Sequence, residues 1–113
     1  MKIFQFVLTF LLCGNLYSQN TFSPKEFIPI EVYRSEDLII IQISDNAFLH
    51  TSFLKTNDFG NVPCNGMVVR NSNEVVVFDT PTNNKSAEDL INFIRKKLHC
   101  KINAIVPTHF HDD

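Results

Sequence analysis

The feature that constrains the fold most is an almost unbroken apolar run, LIIIQI, at residues 38–43. A strand with one exposed face alternates apolar and polar side chains, whereas a continuous β-branched run is typical of a strand buried on both faces. Further strands are predicted at residues 31–34, 47–53, 66–70, 74–78 and 102–106. The turn at residues 44–46 and the hairpin connection at 71–73 indicate antiparallel neighbours in the first part of this series.

One helix is predicted between the last two strands, at residues 86–98. Leu90, Ile94 and Leu98 recur at a spacing of four, which places them on one apolar face. Ser86 is the expected N-cap, with Asp89 three residues later in the position of a capping-box partner. Strands, one helix and a final strand predict an α/β fold with a mixed, mainly antiparallel sheet and the helix on its outside.

The first residues have the pattern of a secretory signal peptide. Lys2 precedes an apolar stretch at residues 3–12, and smaller, more polar residues follow at 13–18. The apolar stretch is shorter than the roughly 20 residues of a transmembrane helix. We therefore predict cleavage after Ser18 and export; lipid anchoring at Cys13 is disfavoured because Leu12, not a small residue, precedes it.

The mature chain is expected to begin with a tether at residues 19–30, which is polar and contains two prolines, and to continue as one domain over 31–113. Export would permit a disulfide between Cys64 and Cys100, but no pattern brings them together, and two separate thiols are favoured. The formal net charge of −2 gives no indication of a nucleic-acid partner.

The most reactive segment is THFHDD at residues 108–113, which fits H-x-H-x-D. A turn just beyond a strand can aim His109 and His111 at one metal ion, while Asp113 reaches a second ion. Imidazole and carboxylate suit Zn²⁺, and two ions about 3.5–4 Å apart can activate water and polarise a carbonyl. The alternative is an ordinary solvated polar loop.

Asp79 directly follows the apolar strand VVVF, so it falls at the end of a neighbouring strand. Its carboxylate could orient the metal-binding loop. The alternative, favoured if the motif is left aside, is that it caps a turn with its side chain.

Four segments of the sequence are LHTSF, FGNVPCNGMVVRN, FDTP and INAIVPTHFHDD. Together they resemble the class B (metallo-) β-lactamases of the dizinc subclass. The resemblance runs from about Leu38 to Asp113. It implies the N-terminal half of a metallo-β-lactamase-type αββα sandwich. H-x-H-x-D alone marks only the wider fold superfamily, which includes thioesterases, nucleases and other hydrolases.

The resemblance implies that His109 and His111 bind the first zinc and that Asp113 binds the second, with Asp79 beside the site. It also implies zinc-dependent hydrolysis of the β-lactam ring, with a small-molecule substrate. The protein would be periplasmic and monomeric, with no membrane association after signal cleavage.

Residues 55–63 would match the family's mobile flap over the substrate, with Phe59 as its aromatic contact and Gly60 beside it; otherwise Phe59 is an ordinary residue half-buried at a hairpin base. His50 and His99 match no ligand and are interpreted as structural.

The family pattern also needs a third His on the first zinc, and a Cys and a further His on the second, all beyond H-x-H-x-D. We therefore expect residues 19–113 alone to be an inactive fragment that neither holds two zinc ions tightly nor hydrolyses β-lactams. Two alternatives stay open: another hydrolase of this fold, acting on thioesters, phosphoesters or lactones, and a non-catalytic truncated product.

Overall fold

A computed structural model describes residues 26–109 of the chain. The predicted signal peptide, Cys13, residues 19–25 of the tether, and His111 to Asp113 lie outside the described residues. The described part contains one helical segment and six strands, which are β1 (Ile30–Arg34), β2 (Leu38–Gln42), β3 (Ala47–Thr56), β4 (Gly60–Asn71), β5 (Glu74–Phe78) and β6 (Lys101–Val106). The first strand begins one residue inside the predicted tether.

The six strands form one sheet in sequence order, β1-β2-β3-β4-β5-β6. The first four pairings are antiparallel, and β5 pairs with β6 in parallel. A parallel pair needs a crossover, and the helix between β5 and β6 supplies it. The predicted mixed, mainly antiparallel sheet is therefore confirmed.

The helix α1 (Asn84–Asn92) begins two residues before the predicted start at residue 86 and continues as a π-helical turn over Phe93–Lys97. Asn83 Oδ1 accepts from the Ser86 backbone N–H at 2.9 Å, so Asn83 and not Ser86 is the N-cap. The Ser86 hydroxyl instead donates to the Asn83 carbonyl oxygen at 3.0 Å. Asp89 accepts from Lys85 and Ser35, which ties the helix to the β1–β2 turn and leaves no capping-box role.

The core lies between α1 with its π-helical turn and one face of the sheet. Its buried apolar residues are Leu38, Ile40, Phe48, Val68, Val75, Val77, Leu90, Phe93, Ile94 and Cys100. Burying each large aliphatic side chain contributes about 1.5–3 kcal/mol. The Phe93 ring makes edge-on contacts with Phe48 and Tyr33, at centroid distances of 5.9 and 6.1 Å.

The run LIIIQI does not have both faces buried within residues 26–109. Leu38 and Ile40 face α1 and are fully buried, whereas Ile39 and Ile41 point to the other face and are only half-buried. Successive side chains of a strand point to opposite faces. The described helix covers one face alone, which accounts for the difference.

The predicted flap loop at residues 55–63 is mostly strand. β3 extends to Thr56 and β4 starts at Gly60, so only residues 57–59 form the turn. Pro63 lies within β4, opposite Phe53. The segment is polar because this part of the hairpin is exposed. Backbone hydrogen bonds between β3 and β4 hold it in strand conformation, so it needs no alternating apolar pattern.

Candidate functional site

The candidate site begins where β5 and β6 end side by side. Phe78, the last residue of β5, is in register with Val106, the last residue of β6. The chain therefore leaves both strands at the same edge of the sheet. The Asp79 backbone N–H donates to the Val106 carbonyl oxygen at 3.0 Å and fastens the two exits together.

The Asp79 carboxylate holds the turn that precedes the H-x-H-x-D motif. One carboxylate oxygen accepts from the Thr108 backbone N–H at 2.7 Å, and the other accepts from the Thr108 hydroxyl. These two bonds to Thr108 lower the pKa of the Asp79 carboxyl, and the neighbouring His109 acts in the same direction. The carboxylate is thus kept ionised and oriented by the residue next to the first histidine.

His109 lies against the same carboxylate. Its Nδ1 is 3.4 Å from Asp79 Oδ1, and its side chain is 57% exposed against 16% for Asp79. Asp79 thus stabilises the Thr108–His109 turn. Its role beside a metal site stays a prediction.

Asp79 has a left-handed backbone conformation, with φ of 57°. Asp adopts this region more readily than most residues, but the conformation is still unfavourable without support. The support comes partly from β3, which runs beneath the β5–α1 connection.

Two buried polar side chains on β3 hold this connection. His50 Nε2 lies 3.1 Å from the Asp79 carbonyl oxygen. Ser52 Oγ accepts from the Thr82 backbone N–H at 3.0 Å, and the Thr82 hydroxyl donates to the Phe53 carbonyl oxygen at 3.2 Å. Both His50 and Ser52 are essentially inaccessible, at 1% and 0% exposed.

The His50 ring fits a gap that Gly66 leaves open on β4. A Cβ at Gly66 would stand 2.3 Å from His50 Nε2 and 2.6 Å from the Phe78 carbonyl oxygen. Burial lowers the pKa of His50, although the Asp79 and Phe78 carbonyl oxygens and the Asp79 charge oppose that shift. The imidazole is therefore held neutral under the strand end that carries Asp79.

Sequence reasoning assigned His50 no part in the site. A usable signal was present, because Phe48, His50 and Ser52 alternate along β3 and so share the buried face. Two polar side chains on an apolar face must find partners. The sequence does not show that those partners lie about thirty residues away, on the β5–α1 connection.

His99 lies at the other end of the helical segment. It has φ of 54°, and the N–H of the next residue, Cys100, donates to the Ile94 carbonyl oxygen at 3.1 Å. A left-handed residue followed by such a bond is a common way to end a helix. His99 therefore has a local backbone role, away from the edge that carries Asp79.

The tip of the β3–β4 hairpin carries the predicted flap residues. Phe59 is 83% exposed, so it is not half-buried at a hairpin base. The Thr56 hydroxyl accepts from the Phe59 N–H and donates to the Gly60 carbonyl oxygen, both at 3.0 Å. Gly60 has φ of 66°, a conformation that glycine adopts without strain.

An open cavity of about 470 Å³ separates the hairpin from the β5–β6 edge. The hairpin contributes Leu54, Val62 and Cys64 to its walls, and the edge contributes Asp79 and His109. Cys64 here and Cys100 in the core are both free thiols. The cavity is thus lined by apolar side chains together with an imidazole and a carboxylate.

The described side chains at this edge include an imidazole and a carboxylate, and both are groups that bind zinc. Among residues 26–109, no three His, Cys, Asp or Glu side chains lie close enough together to hold a metal. His109 is the one predicted ligand within that range. A carboxylate on one ring nitrogen is the usual partner of a zinc-ligating histidine, and the Asp79 contact to Nδ1 matches that arrangement.

No family model matches the chain. Curated relatives do match it, and two of them, described next, are named metallo-beta-lactamase type 2. The protein from Bacteroides fragilis is 37% identical over 79 residues, which are 70% of this chain and 32% of the relative. The protein from Pseudomonas aeruginosa is 32% identical over 77 residues, or 68% of this chain and 31% of the relative.

Solved structures agree with these relatives. VMB-1 superposes with a TM-score of 0.67 at 32% identity, over 71% of this chain and 36% of that one. The DIM-1 metallo-beta-lactamase superposes with a TM-score of 0.63 at 36% identity, over 72% of this chain and 36% of that one. This chain matches the N-terminal part of the metallo-β-lactamases.

The resemblance inferred from the sequence and the fold it implied are therefore confirmed for about 70% of the chain. The chain spans about a third of the length of the curated metallo-β-lactamases that it matches. A mono-zinc metallo-β-lactamase from Erythrobacter litoralis is a further structural neighbour, with a TM-score of 0.66 at 27% identity over 73% of this chain and 38% of that one. Within residues 26–109, no helix is long and apolar enough to cross a membrane.

Proposed function

We propose that the complete gene product is a zinc-dependent β-lactamase whose metal-binding loop begins at His109. The observation that carries this proposal is the contact of Asp79 with the Thr108–His109 turn, at the shared end of β5 and β6. It occurs in a chain whose relatives are metallo-β-lactamases. The hydrolytic function and the zinc dependence of this protein rest on that combination.

In this proposal, His109 and His111 hold the first zinc and Asp113 holds the second. Zinc would supply Lewis-acid activation of the lactam carbonyl and an acidified water. The chain's own contribution is orientation, because the Asp79 carboxylate fixes Thr108 and faces His109 Nδ1. Nε2 is then the ring nitrogen that would bind zinc.

The cavity between the hairpin and the β5–β6 edge is the proposed substrate site. The ring system of a β-lactam antibiotic carries a polar lactam carbonyl and a carboxylate, and its acyl side chain is commonly apolar. Leu54 and Val62 would pack against that side chain, and the lactam carbonyl would lie towards His109. Phe59 and Gly60 at the hairpin tip would close over the bound molecule as a flap, with Phe59 supplying an aromatic surface.

Export is the proposed localisation, because a β-lactamase must meet its substrate outside the cytoplasm. Residues 1–18 would be removed after translocation, and the periplasmic protein would act as a monomer. Amino-terminal sequencing of protein from a periplasmic extract should begin at Gln19. Protein that retains Met1, or a lipid on Cys13, would contradict the proposal on localisation.

The decisive experiment compares His109→Asn with the matched variant His99→Asn in the complete gene product. Both remove an exposed imidazole, and Asn tolerates the left-handed backbone of His99. Zinc content and turnover of a chromogenic cephalosporin are measured for each. We expect His109→Asn to lose zinc and at least a hundredfold in turnover, while His99→Asn keeps both.

Equal activity of the two variants would contradict the ligand assignment. Wild-type protein that binds zinc but cleaves thioesters, phosphoesters or lactones in place of the cephalosporin would contradict the substrate class. Residues 19–113 alone carry three of the family's six zinc ligands, so we expect that polypeptide to show neither two bound zinc ions nor lactam turnover.

A further inference from the structure

His50 is a buried polar residue whose role the proposed chemistry does not explain. It lies beneath Asp79, is 1% exposed, and fills the gap left by Gly66. A residue that merely fills space there could be apolar. An apolar side chain would avoid the cost of burying an imidazole.

The hydrogen bonds of His50 define its tautomer. The Asp79 carbonyl oxygen can only accept, so the nitrogen 3.1 Å away, Nε2, carries the proton. Nδ1 then has a lone pair, and it is buried without a hydrogen-bond partner among the described residues. An unpartnered buried nitrogen is unfavourable, which indicates that the bond made by Nε2 compensates for it.

The carbonyl that His50 holds belongs to a residue with an unfavourable backbone. Asp79 has φ of 57° and is fixed at three points: its N–H on Val106, its carbonyl on His50, and its carboxylate on Thr108. The first two contacts fix the backbone of Asp79 and so set the direction of its carboxylate. The third contact joins that carboxylate to the turn that bears His109, so the position of the turn depends on the backbone of Asp79.

We infer that His50 is a positioning residue for the metal-binding loop, acting through the Asp79 carbonyl to hold the left-handed Asp79 in place. Its relation to zinc rests on the proposed function. Its relation to the Thr108–His109 turn stands on the hydrogen bonds alone.

The test uses the complete gene product without metal and two variants of similar polarity. His50→Gln can place its amide N–H where Nε2–H lies, whereas His50→Asn is too short to reach the Asp79 carbonyl. Val68→Ala is the control, because Val68 is a fully buried β4 residue whose truncation destabilises the core without touching Asp79. Amide hydrogen exchange by NMR reports on Thr108 and Asp79, with the β1–β2 amides as the internal reference.

We expect His50→Asn to speed exchange at Thr108 and Asp79 roughly fivefold relative to the reference amides, the effect of losing one hydrogen bond. His50→Gln should restore most of the protection, and Val68→Ala should change all amides alike. Equal exchange in the Gln and Asn variants, or the same local pattern in Val68→Ala, would overturn the inference.

A second arm titrates each variant with Zn²⁺ alone and follows the His109 ring resonances. If the wild type binds zinc, His50→Asn should weaken binding by roughly tenfold and His50→Gln should not. Unchanged affinity in His50→Asn would contradict the link to the metal. If the wild type binds no zinc, the proposed function fails, and the exchange measurement still decides the role of His50.

Discussion

The β5–β6 edge and the tip of the β3–β4 hairpin were both assigned to the site from the sequence, and they are built differently. At the edge, β3, β5 and β6 converge, and Asp79 is fixed by hydrogen bonds from three directions. At the tip, Phe59 is 83% exposed. Among the described residues, Thr56 is the only side chain that forms hydrogen bonds across this turn. Rigid support suits metal ligands, whereas an exposed aromatic on a hairpin suits an adaptable substrate contact.

The largest difference between the two regions should appear on replacing one aspartate in each. Asp79→Asn keeps the shape but removes the charge beside His109, whereas Asp58→Asn does the same at the exposed hairpin turn. We expect Asp79→Asn to weaken zinc binding about 10–100-fold and Asp58→Asn to leave it unchanged. A competitive titration with a chromophoric chelator measures both, and equal affinities would remove the distinction between edge and tip.

Two glycines allow the same comparison for stability. Gly66→Ala would force a Cβ against His50 and the Phe78 carbonyl, and we expect it to cost about 1–3 kcal/mol through overpacking. Gly60→Ala meets no atom within 4 Å and should cost roughly 1 kcal/mol, from its positive φ alone. Urea unfolding gives both values, and a larger loss for Gly60→Ala would show that the edge is the looser region.

The β5–β6 edge should also make the free energy of unfolding depend on pH, in a range where the hairpin tip has no such effect. Burial lowers the pKa of His50 in the folded chain, whereas its pKa in the unfolded chain is near 6.5. At a pH between these two pKa values, the unfolded chain binds a proton that the folded chain does not. Stability should therefore fall as the pH drops below about 6.5, by at most about 1.4 kcal/mol per pH unit, and level off below the folded pKa.

The difference in unfolding free energy between wild type and His50→Gln isolates this effect from the other histidines. Asp79 and Asp89 have lowered pKa values, so their contributions are lost only at more acidic pH, below the ordinary range of a carboxyl. A difference that is constant from pH 7 to pH 5 would contradict the neutral, buried state of His50.

The smallest effect on the fold is expected at the tip. Phe59→Ala removes a side chain that is almost fully exposed, so the free energy of unfolding should change by no more than about 0.5 kcal/mol. If the hairpin covers the substrate, KM for a cephalosporin should rise roughly fivefold with kcat little changed. A stability loss without a KM change would assign Phe59 to the fold.

Periodicity in the sequence was enough to predict the sheet and the helix. The prediction that Asp79 lies beside the residues after β6 needed the H-x-H-x-D motif and the family resemblance as well. The β5–α1–β6 pattern places both strand ends at one edge, and that is where Asp79 contacts Thr108. The length of the hairpin was missed because its exposed strands lack an apolar pattern and contain Pro63. Asn83 and Ser86 can both cap a helix, so composition did not separate them.

The support beneath Asp79 could not be predicted in the same way. The bond from His50 joins a side chain to a backbone oxygen 29 residues away, and no local spacing encodes it. It also depends on Gly66 in a third strand, whose missing Cβ leaves room for the ring. Such contacts follow from the register of β3, β4 and β5, which the sequence indicates only in outline.

The most direct test of the proposed metal centre is the position of zinc in the complete gene product. A crystal of the zinc-loaded protein, measured at the zinc absorption edge, locates the metal by its anomalous scattering. We predict a peak about 2.0–2.1 Å from His109 Nε2, with Asp79 still bonded to Thr108. A zinc peak that does not contact His109, or zinc-loaded crystals without a peak at this edge, would contradict it.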